Sequence, residues 1–198
     1  MKRLKIGVLA SGGGSNLQSI IDRTLDGSVS AEVVVVISNN TTAFALERAA
    51  KHGIDALHIS AVSEGSQDAA DERITAEMIQ RDVDYVVLAG YMKMIGTHLL
   101  SAFNGKIMNI HPALLPKFGG KGMYGMNVHK AVIAAGETES GATVHLVDGE
   151  YDHGRTLAQV KVDVFPDDTA ETLQKRILEK EHLIFPETIG KIATGELK

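Results

Sequence analysis

Short runs of apolar residues alternate along this chain with segments of helical spacing. Leu4–Ala10 and Glu32–Ile37 are such runs, and Glu32–Ile37 contains four consecutive valines. Asn16–Leu25, between them, instead has apolar residues recurring every three or four positions. Uninterrupted apolar strands that alternate with helices are typical of a parallel sheet buried on both faces. We therefore predict an α/β fold with three layers, a Rossmann-like, mostly parallel central sheet with helices on both faces.

The same patterns predict the individual elements. The predicted strands are Leu4–Ala10, Glu32–Ile37, Ala56–Ile59, Tyr85–Ala89, Lys106–Ile110, Ala142–Val147 and Thr156–Val162. The predicted helices are Asn16–Leu25, Phe44–His52, Ala69–Arg81, Val128–Ala135 and a long one from Thr169 onward. Asp168 and Glu171 resemble a capping box at the start of the last helix, and we expect Pro186 to kink or end it.

The composition limits the classes of partner. The 198 residues are 44% hydrophobic and 23% charged, which suits one globular domain with one core. The net charge of −5 favours neither nucleic acid nor an anionic membrane surface. The chain has no cysteine, which excludes disulfides, thiolate nucleophiles and zinc–cysteine sites. We expect a cytoplasmic protein that acts on small molecules.

A glycine-rich loop, Ser11–Asn16, joins the first predicted strand to the first predicted helix. Glycines let backbone N–H groups approach a ligand, and a helix N-terminus favours an anion, so the loop could bind phosphate. The alternative is a plain strand–helix turn capped by Ser15. It does not match the dinucleotide-binding pattern, because Leu17 occupies the place of the third glycine and Asn39-Asn40 stands where an acidic residue is usual.

Polar residues with acid–base chemistry follow two later strands. Asn109 and His111 alternate with Ile110, so their side chains face one way from the end of a strand. An amide donor beside an imidazole can polarise a carbonyl and move a proton, although a structural histidine would fit as well. The turn Asp148–Gly154 could bring a carboxylate beside His111, orient it and raise its pKa, or could be a solvated acidic loop.

Two further features could bind ligands. Tyr91–Ile95, an apolar loop past the fourth strand, could hold a flat heterocycle or merely pack against the core. His111, His129, His145 and His153 could suggest a metal, but their spacing matches no set of metal ligands. We therefore expect no metal.

Several motifs together resemble the phosphoribosylglycinamide formyltransferase family. The set Asn-x-His-Pro…Asp is specific to folate-linked formyl transfer, and Gly-Ser-Asn near the N-terminus narrows the resemblance to this branch. The motifs, in order along nearly the whole chain, are Ser-Gly-x-Gly-Ser-Asn-Leu at Ser11–Leu17, Leu-Ala-Gly-Tyr-Met at Leu88–Met92, Asn-Ile-His-Pro-x-Leu-Leu-Pro at Asn109–Pro116, Gly-Ala-Thr-Val-His at Gly141–His145, Asp-x-Gly at Asp152–Gly154 and Glu181-His182.

The resemblance implies a fold, a reaction and a set of site residues. It implies the formyltransferase fold and transfer of a formyl group from the co-substrate 10-formyltetrahydrofolate to the amine of 5'-phosphoribosylglycinamide in purine biosynthesis, with no metal. The implied site consists of catalytic Asn109, His111 and Asp152; Gly14, Ser15 and Asn16 at the substrate phosphate; Glu181 at the same substrate; and Met92, Lys93, Met94, Ile95, Asn109 and, more weakly, Gln67 at the folate.

The chain also departs from the family pattern. Lys93 and Gln67 stand where relatives often have arginine, Lys121–Asn127 is longer than the common form of that loop, and Arg155 replaces a frequent proline. These departures concern the folate tail and the loop geometry, and none affects the three catalytic residues.

The resemblance leaves three rival functions to weigh. Methionyl-tRNA formyltransferase usually carries an extra C-terminal domain and needs a basic surface, and formyltetrahydrofolate hydrolase usually has an added N-terminal domain. A non-catalytic nucleotide-binding module would not need the set Asn109, His111 and Asp152. We expect one domain over residues 1–198, with phosphate and nucleotide binding in the N-terminal half and folate binding and catalysis in the C-terminal half. Whether the chain forms a homodimer is left open.

Overall fold

The structure, a computed structural model, describes residues 3–197 and has seven strands and seven helices in that range. The strands are β1 (Leu4–Leu9), β2 (Ala31–Ser38), β3 (Asp55–His58), β4 (Tyr85–Leu88), β5 (Ile107–His111), β6 (Glu139–Leu146) and β7 (Thr156–Asp163). The helices are α1 (Ser15–Leu25), α2 (Phe44–Lys51), α3 (Ala61–Glu64), α4 (Gln67–Gln80), α5 (Thr97–Ala102), α6 (Met126–Ala134) and α7 (Ala170–Ala193).

All seven strands form one sheet in the order β3-β2-β1-β4-β5-β6-β7. The pairs from β3 to β5 are parallel, whereas β6 lies antiparallel to both β5 and β7. The strand order reverses beside β1, where β2 lies on one side and β4 on the other. The loops after β1 and β4 therefore leave the sheet towards opposite faces and open a crevice at its carboxyl edge, as is usual in such sheets.

Helices cover both faces of the sheet, which confirms the predicted three layers. On one face, Leu17, Ile20 and Ile21 of α1 pack with Phe185 and Ile189 of α7 against the central strands. On the other face, α4 and α5 cover the same strands through a second buried cluster that includes Ile74, Met78, Leu99 and Phe103. Burial on both faces explains why β1, β2 and β4 are apolar along most of their length. Among residues 3–197, no helix is long and apolar enough to cross a membrane.

Two short helices and the start of the last helix differ from the sequence prediction. The helices α3 and α5 were not predicted because each is too short for a periodic apolar pattern to be recognised. The last helix begins with a capping box between Thr169 and Thr172, so the Asp168–Glu171 box was wrong; Asp168 instead accepts hydrogen bonds from Thr172 and Arg176.

Pro186 does not end the last helix, which continues to Ala193. A proline inside a helix removes one backbone hydrogen bond and usually interrupts the helix. Here Phe185 and Ile189 are fully buried in the core and Ile184 is nearly so. Burial of these side chains offsets the lost hydrogen bond, which is a tertiary effect that the local sequence does not contain.

Candidate active site

A cavity of about 540 Å³ opens at the carboxyl edge of the sheet. This volume lies within the range usual for small-molecule sites. Its walls come from the ends of β4, β5 and β6, from the loops around Met92, Tyr124 and Asp152, and from α7. Residues that are distant in sequence therefore meet in one concave space.

The glycine-rich loop forms one side of the crevice, and Gly14 gives it its shape. Gly14 has a left-handed backbone (φ 68°), and a Cβ at this position would lie 2.9 Å from the Cα and Cβ of Ala45. Gly14 is the N-cap of α1, so the alternative in which Ser15 caps the helix was wrong: Ser15 is its first residue. With no side-chain cap present, the N–H groups of the first turn remain available to an anion.

Asn16, on the same turn, lines the cavity and contacts α7. Its Nδ2 donates a hydrogen bond of 2.7 Å to Oε2 of Glu181, which is 7% exposed and also lines the cavity. Burial raises the pKa of Glu181 to about 7, and the Asn16 hydrogen bond opposes that rise only in part. Asn16 Oδ1 is buried without a partner in the described structure, so the pair retains capacity to bind a polar ligand.

His111 is buried at the end of β5 with both ring nitrogens near acceptors. Its Nε2 lies 2.8 Å from the carbonyl oxygen of Phe118, and its Nδ1 lies 3.5 Å from Oδ1 of Asp152. A carbonyl can only accept, so we assign the proton to Nε2 in the neutral ring. Nδ1 is then the nitrogen that can take and release a proton beside the carboxylate.

Asn109 is oriented by His145 on the neighbouring antiparallel strand. Asn109 and His145 are paired in the register of β5 and β6, and Asn109 Nδ2 lies 3.1 Å from His145 Nε2. His145 Nδ1 lies 2.8 Å from the carbonyl oxygen of Leu146, which assigns Nδ1 as its donor. Nε2 therefore accepts from the Asn109 amide, and the second amide hydrogen of Asn109 is free to bind a ligand oxygen in the cavity.

Asp152 lies beside both histidines. Its Oδ1 is 3.5 Å from His111 Nδ1 and 3.6 Å from His145 Nε2, and its Oδ2 accepts a 2.9 Å hydrogen bond from Gly120 N–H. Burial raises the pKa of Asp152, but the His145 and His111 rings, which stabilise the carboxylate when they are protonated, and the Gly120 N–H outweigh burial and hold the pKa below its usual value. Asp152 is therefore a carboxylate at neutral pH.

The net pKa shift of His111 is opposite to the sequence expectation. Burial is the largest influence and lowers the pKa of His111, Asp152 and the Phe118 carbonyl raise it, and His145 lowers it. The expected influence of Asp152 is thus present, but the pKa still lies below the ordinary value for histidine. His111 is mainly neutral in the free site, so it begins as a proton acceptor.

The Met92–Ile95 loop lies across the cavity from the strand ends. Ser11 fixes its start, because the Ser11 hydroxyl accepts a 2.8 Å hydrogen bond from Met92 N–H. Met92 and Met94 are half exposed at the cavity mouth, as suits residues that a flat apolar ligand would cover. Lys93 and Lys121 also line the cavity, whereas Gln67, at the start of α4, is not among the lining residues.

Three residues that the fold brings to the site had no role predicted from the sequence. His145 orients Asn109, as described above. Thr143, fully buried, donates to Ala113 O at 2.6 Å and accepts from Leu115 N–H, which holds the loop after His111. His129 lines the cavity, and burial lowers its pKa to about 4. Only the alternation of Thr143 and His145 along a strand could have indicated a shared face.

The described residues contain no group of three or more histidine, cysteine, aspartate or glutamate side chains arranged to hold a metal ion. The polar groups that meet around Asp152 are instead the amide of Asn109 and the imidazole rings of His111 and His145. Such a set suits proton transfer and stabilisation of a developing oxyanion.

Comparisons with known proteins agree with this arrangement. The family model described as "Formyl transferase" matches residues 4–189. The chain is 43% identical over 198 residues to the chloroplastic phosphoribosylglycinamide formyltransferase of Arabidopsis thaliana, covering 100% of this chain and 68% of the relative. It is 39% identical over 194 residues to the phosphoribosylglycinamide formyltransferase of Haemophilus influenzae, covering 98% of this chain and 89% of the relative.

The chain spans a smaller share of some other relatives. The chain spans 61% of the Vigna unguiculata chloroplastic phosphoribosylglycinamide formyltransferase and 14% of the trifunctional purine biosynthetic protein adenosine-3 of Drosophila melanogaster. Among solved structures, the glycinamide ribonucleotide transformylase 1 of Symbiobacterium toebii superposes with a TM-score of 0.92 at 40% identity, covering 98% of this chain and 89% of that one. On these matches over nearly its whole length, the chain belongs to the formyl transferase family and, within it, to the phosphoribosylglycinamide formyltransferases.

Proposed function

We propose that this protein transfers a formyl group from 10-formyltetrahydrofolate to the amine of 5'-phosphoribosylglycinamide in purine biosynthesis. Membership of the family implies a folate-derived formyl donor and small-molecule substrates. The observation that carries the proposal is the convergence of Asn109, His111 and Asp152 in one cavity. That cavity lies between a helix N-terminus suited to phosphate and an apolar loop suited to a heterocycle.

We assign the two substrates to opposite sides of the catalytic residues. Gly14, Ser15 and Asn16 take the phosphate, and Glu181 contacts the same nucleotide from α7. The Met92–Ile95 loop takes the folate, with Asn109 near its formyl group. The glycine-rich loop then comes from the N-terminal half of the chain, and the catalytic residues come from the C-terminal half. Both halves contribute strands to the same sheet.

The geometry supports a direct transfer without a covalent enzyme intermediate. The substrate amine attacks the formyl carbon, and the carbonyl oxygen becomes an oxyanion that the Asn109 amide stabilises. The attacking nitrogen becomes positively charged and loses a proton, which His111 Nδ1 accepts beside the Asp152 carboxylate. The resulting imidazolium also stabilises the oxyanion and then donates the proton to the leaving folate nitrogen, so atoms and charge balance.

A direct assay tests the function. The protein is mixed with 10-formyltetrahydrofolate and glycinamide ribonucleotide, and the folate product is followed by absorbance. We expect product only when both substrates are present. Release of the folate product without the nucleotide would indicate a hydrolase. No release of folate product, with or without the nucleotide, would contradict an enzymatic role.

Replacing Ser15 tests the phosphate assignment. Loss of a hydrogen bond to a charged group costs about 1.5–3 kcal/mol, which corresponds to an increase of about 10- to 150-fold in KM. We expect Ser15→Ala to raise the KM for the nucleotide by roughly this factor and to leave the KM for the folate nearly unchanged. Steady-state kinetics with each substrate varied in turn would detect the difference. Equal effects on both KM values would refute the assignment.

We expect activity to survive exhaustive removal of metal ions. The sequence contains no ligand spacing typical of a metal site, and the proposed proton transfer uses only side chains of this chain. After dialysis against a chelator, kcat and both KM values should stay within about twofold of the untreated enzyme. Activity that is lost and then restored by zinc or magnesium would show that a metal is required.

A further inference from the structure

Residues of helix α2 donate hydrogen bonds to backbone carbonyls of the glycine-rich loop. Ala45 N–H donates a 3.1 Å hydrogen bond to the carbonyl of Gly12, and Arg48 Nε donates a 2.8 Å hydrogen bond to the carbonyl of Gly13. Ala45 also lies directly against Gly14, where it leaves no room for a Cβ. Two consecutive carbonyls of the loop therefore point towards α2.

This arrangement fixes the direction of the loop's donors. In a trans peptide the C=O and N–H groups point in opposite directions. Because the carbonyls of Gly12 and Gly13 face α2, the N–H groups of the same peptides, which belong to Gly13 and Gly14, point away from α2. Around Gly12 and Gly13, nothing lies within 4 Å of where a Cβ would be, so both glycines border open space. These N–H groups extend the donor set of the α1 N-terminus.

Arg48 is itself held in place by several contacts. Its NH1 donates a 3.0 Å hydrogen bond to Gln18 of α1, and its guanidinium lies 4.8 Å from the centroid of the Phe44 ring. It makes no ion pair with a carboxylate within residues 3–197. The guanidinium thus joins α2, the loop and α1 through directed hydrogen bonds, and its positive charge beside the loop is not neutralised by a salt bridge there.

We propose that Arg48 is a positioning residue for substrate phosphate, acting through the Gly13 carbonyl to turn the Gly13 and Gly14 N–H groups towards the phosphate. The inference rests on the proposed function, because it assumes that the phosphate binds at this loop. It adds a residue from α2 that neither the motif Ser11–Leu17 nor the cavity lining includes. Arg48 acts on the phosphate through the backbone and through its charge, and it takes no part in formyl transfer.

The test compares glycinamide ribonucleotide with its dephosphorylated riboside in three arginine variants. Arg48→Met removes the donors and the charge but keeps the aliphatic length, and Arg48→Lys keeps the charge but lacks the planar group that bonds Gly13 and Gln18 together. Arg73→Met is the matched control, since the Arg73 side chain is 57% exposed on α4 and its partner, Glu77, keeps a second arginine, Arg81, in the variant. Ser15→Ala serves as the reference for direct loss of a phosphate contact.

We expect Arg48→Met to lower kcat/KM for the nucleotide by about tenfold or more, mainly through KM, and to change kcat/KM for the riboside by less than about twofold. Arg48→Lys should recover only part of the loss, and Arg73→Met should resemble the wild type with both substrates. Unchanged turnover of the riboside shows that the variant has kept its folded site.

The other outcomes contradict either the positioning role of Arg48 or the assignment of the phosphate to this loop. Equal losses with nucleotide and riboside in Arg48→Met would make Arg48 a general structural residue, and full recovery in Arg48→Lys would leave its charge alone as the cause. Either result overturns the positioning role while the proposed function stands, provided that Ser15→Ala still discriminates between the two substrates. If Ser15→Ala also fails to discriminate, the phosphate assignment itself is wrong and the inference falls with it.

Discussion

Replacing His111 by alanine should lower kcat by about 10²- to 10⁴-fold, the usual contribution of a general acid–base group. Asn109→Ala should lower kcat by about 10²- to 10³-fold, the usual effect of losing one donor to an oxyanion. Both effects should fall on kcat much more than on KM, because the proposed roles arise only as charge develops in the transition state. Steady-state kinetics with both substrates near saturation would measure them.

Folding must be checked in these variants, since His111 is 3% exposed and bonds the Phe118 carbonyl. His111→Ala leaves that carbonyl without its partner, which costs about 1–3 kcal/mol, so circular dichroism and thermal unfolding should accompany the kinetics. His98→Ala is a suitable control, because His98 is partly exposed on α5 and its side chain pairs with Asp68 rather than with a residue of the site. Near wild-type kcat in folded His111→Ala or Asn109→Ala would remove the chemical basis of the proposal.

Asp152→Asn should lower kcat at neutral pH on the order of 10²-fold and shift the His111 titration to lower pH. Asp152 raises the pKa of His111 against the stronger lowering by burial. Removing the carboxylate charge leaves burial less opposed, so the pKa of His111 falls further and its imidazolium forms less readily during transfer. The limb of the pH–rate profile that reports His111 should therefore move to lower pH, and an NMR titration of the His111 ring should move with it.

Asp152→Asn removes the carboxylate charge but should leave the local structure of the loop unchanged. Asp152 has a left-handed backbone (φ 55°), which asparagine tolerates well, and an amide oxygen can still accept from Gly120 N–H. Asp148→Asn on the same loop is the matched control, because Asp148 is paired with His153 rather than with His111. An unchanged His111 titration in Asp152→Asn, or an equal shift in Asp148→Asn, would show that Asp152 does not act on His111 through its charge.

The local pattern of the sequence predicted most of the secondary structure. Strands that are buried along most of their length, such as β1 and β2, are apolar at most positions, so the runs at Leu4–Ala10 and Glu32–Ile37 were recognisable without tertiary information. The position of Asn109 and His111 at a strand end, with side chains facing one way, followed from the two-residue period of a strand. Such features depend only on neighbours along the chain.

The electrostatic behaviour of the site could not be obtained in the same way. A carboxylate beside His111 was expected to raise the histidine pKa, and Asp152 does so, but burial by the surrounding loops lowers it more. Glu181 likewise has its pKa raised to about 7 by burial in α7. Burial is set by the packing of the whole domain, and a motif contains no measure of it.

The sequence alone was enough to predict the α/β class, the glycine-rich loop after β1 and the residues that we propose carry the chemistry. The tertiary structure alone decided that β6 lies antiparallel to β5, with His145 opposite Asn109, and that Arg48 reaches from α2 to the Gly13 carbonyl. It also decided that α7 continues through Pro186. The physical reason is that propensity and periodicity act between near neighbours, whereas strand register, helix packing and desolvation arise only when distant segments exclude water together.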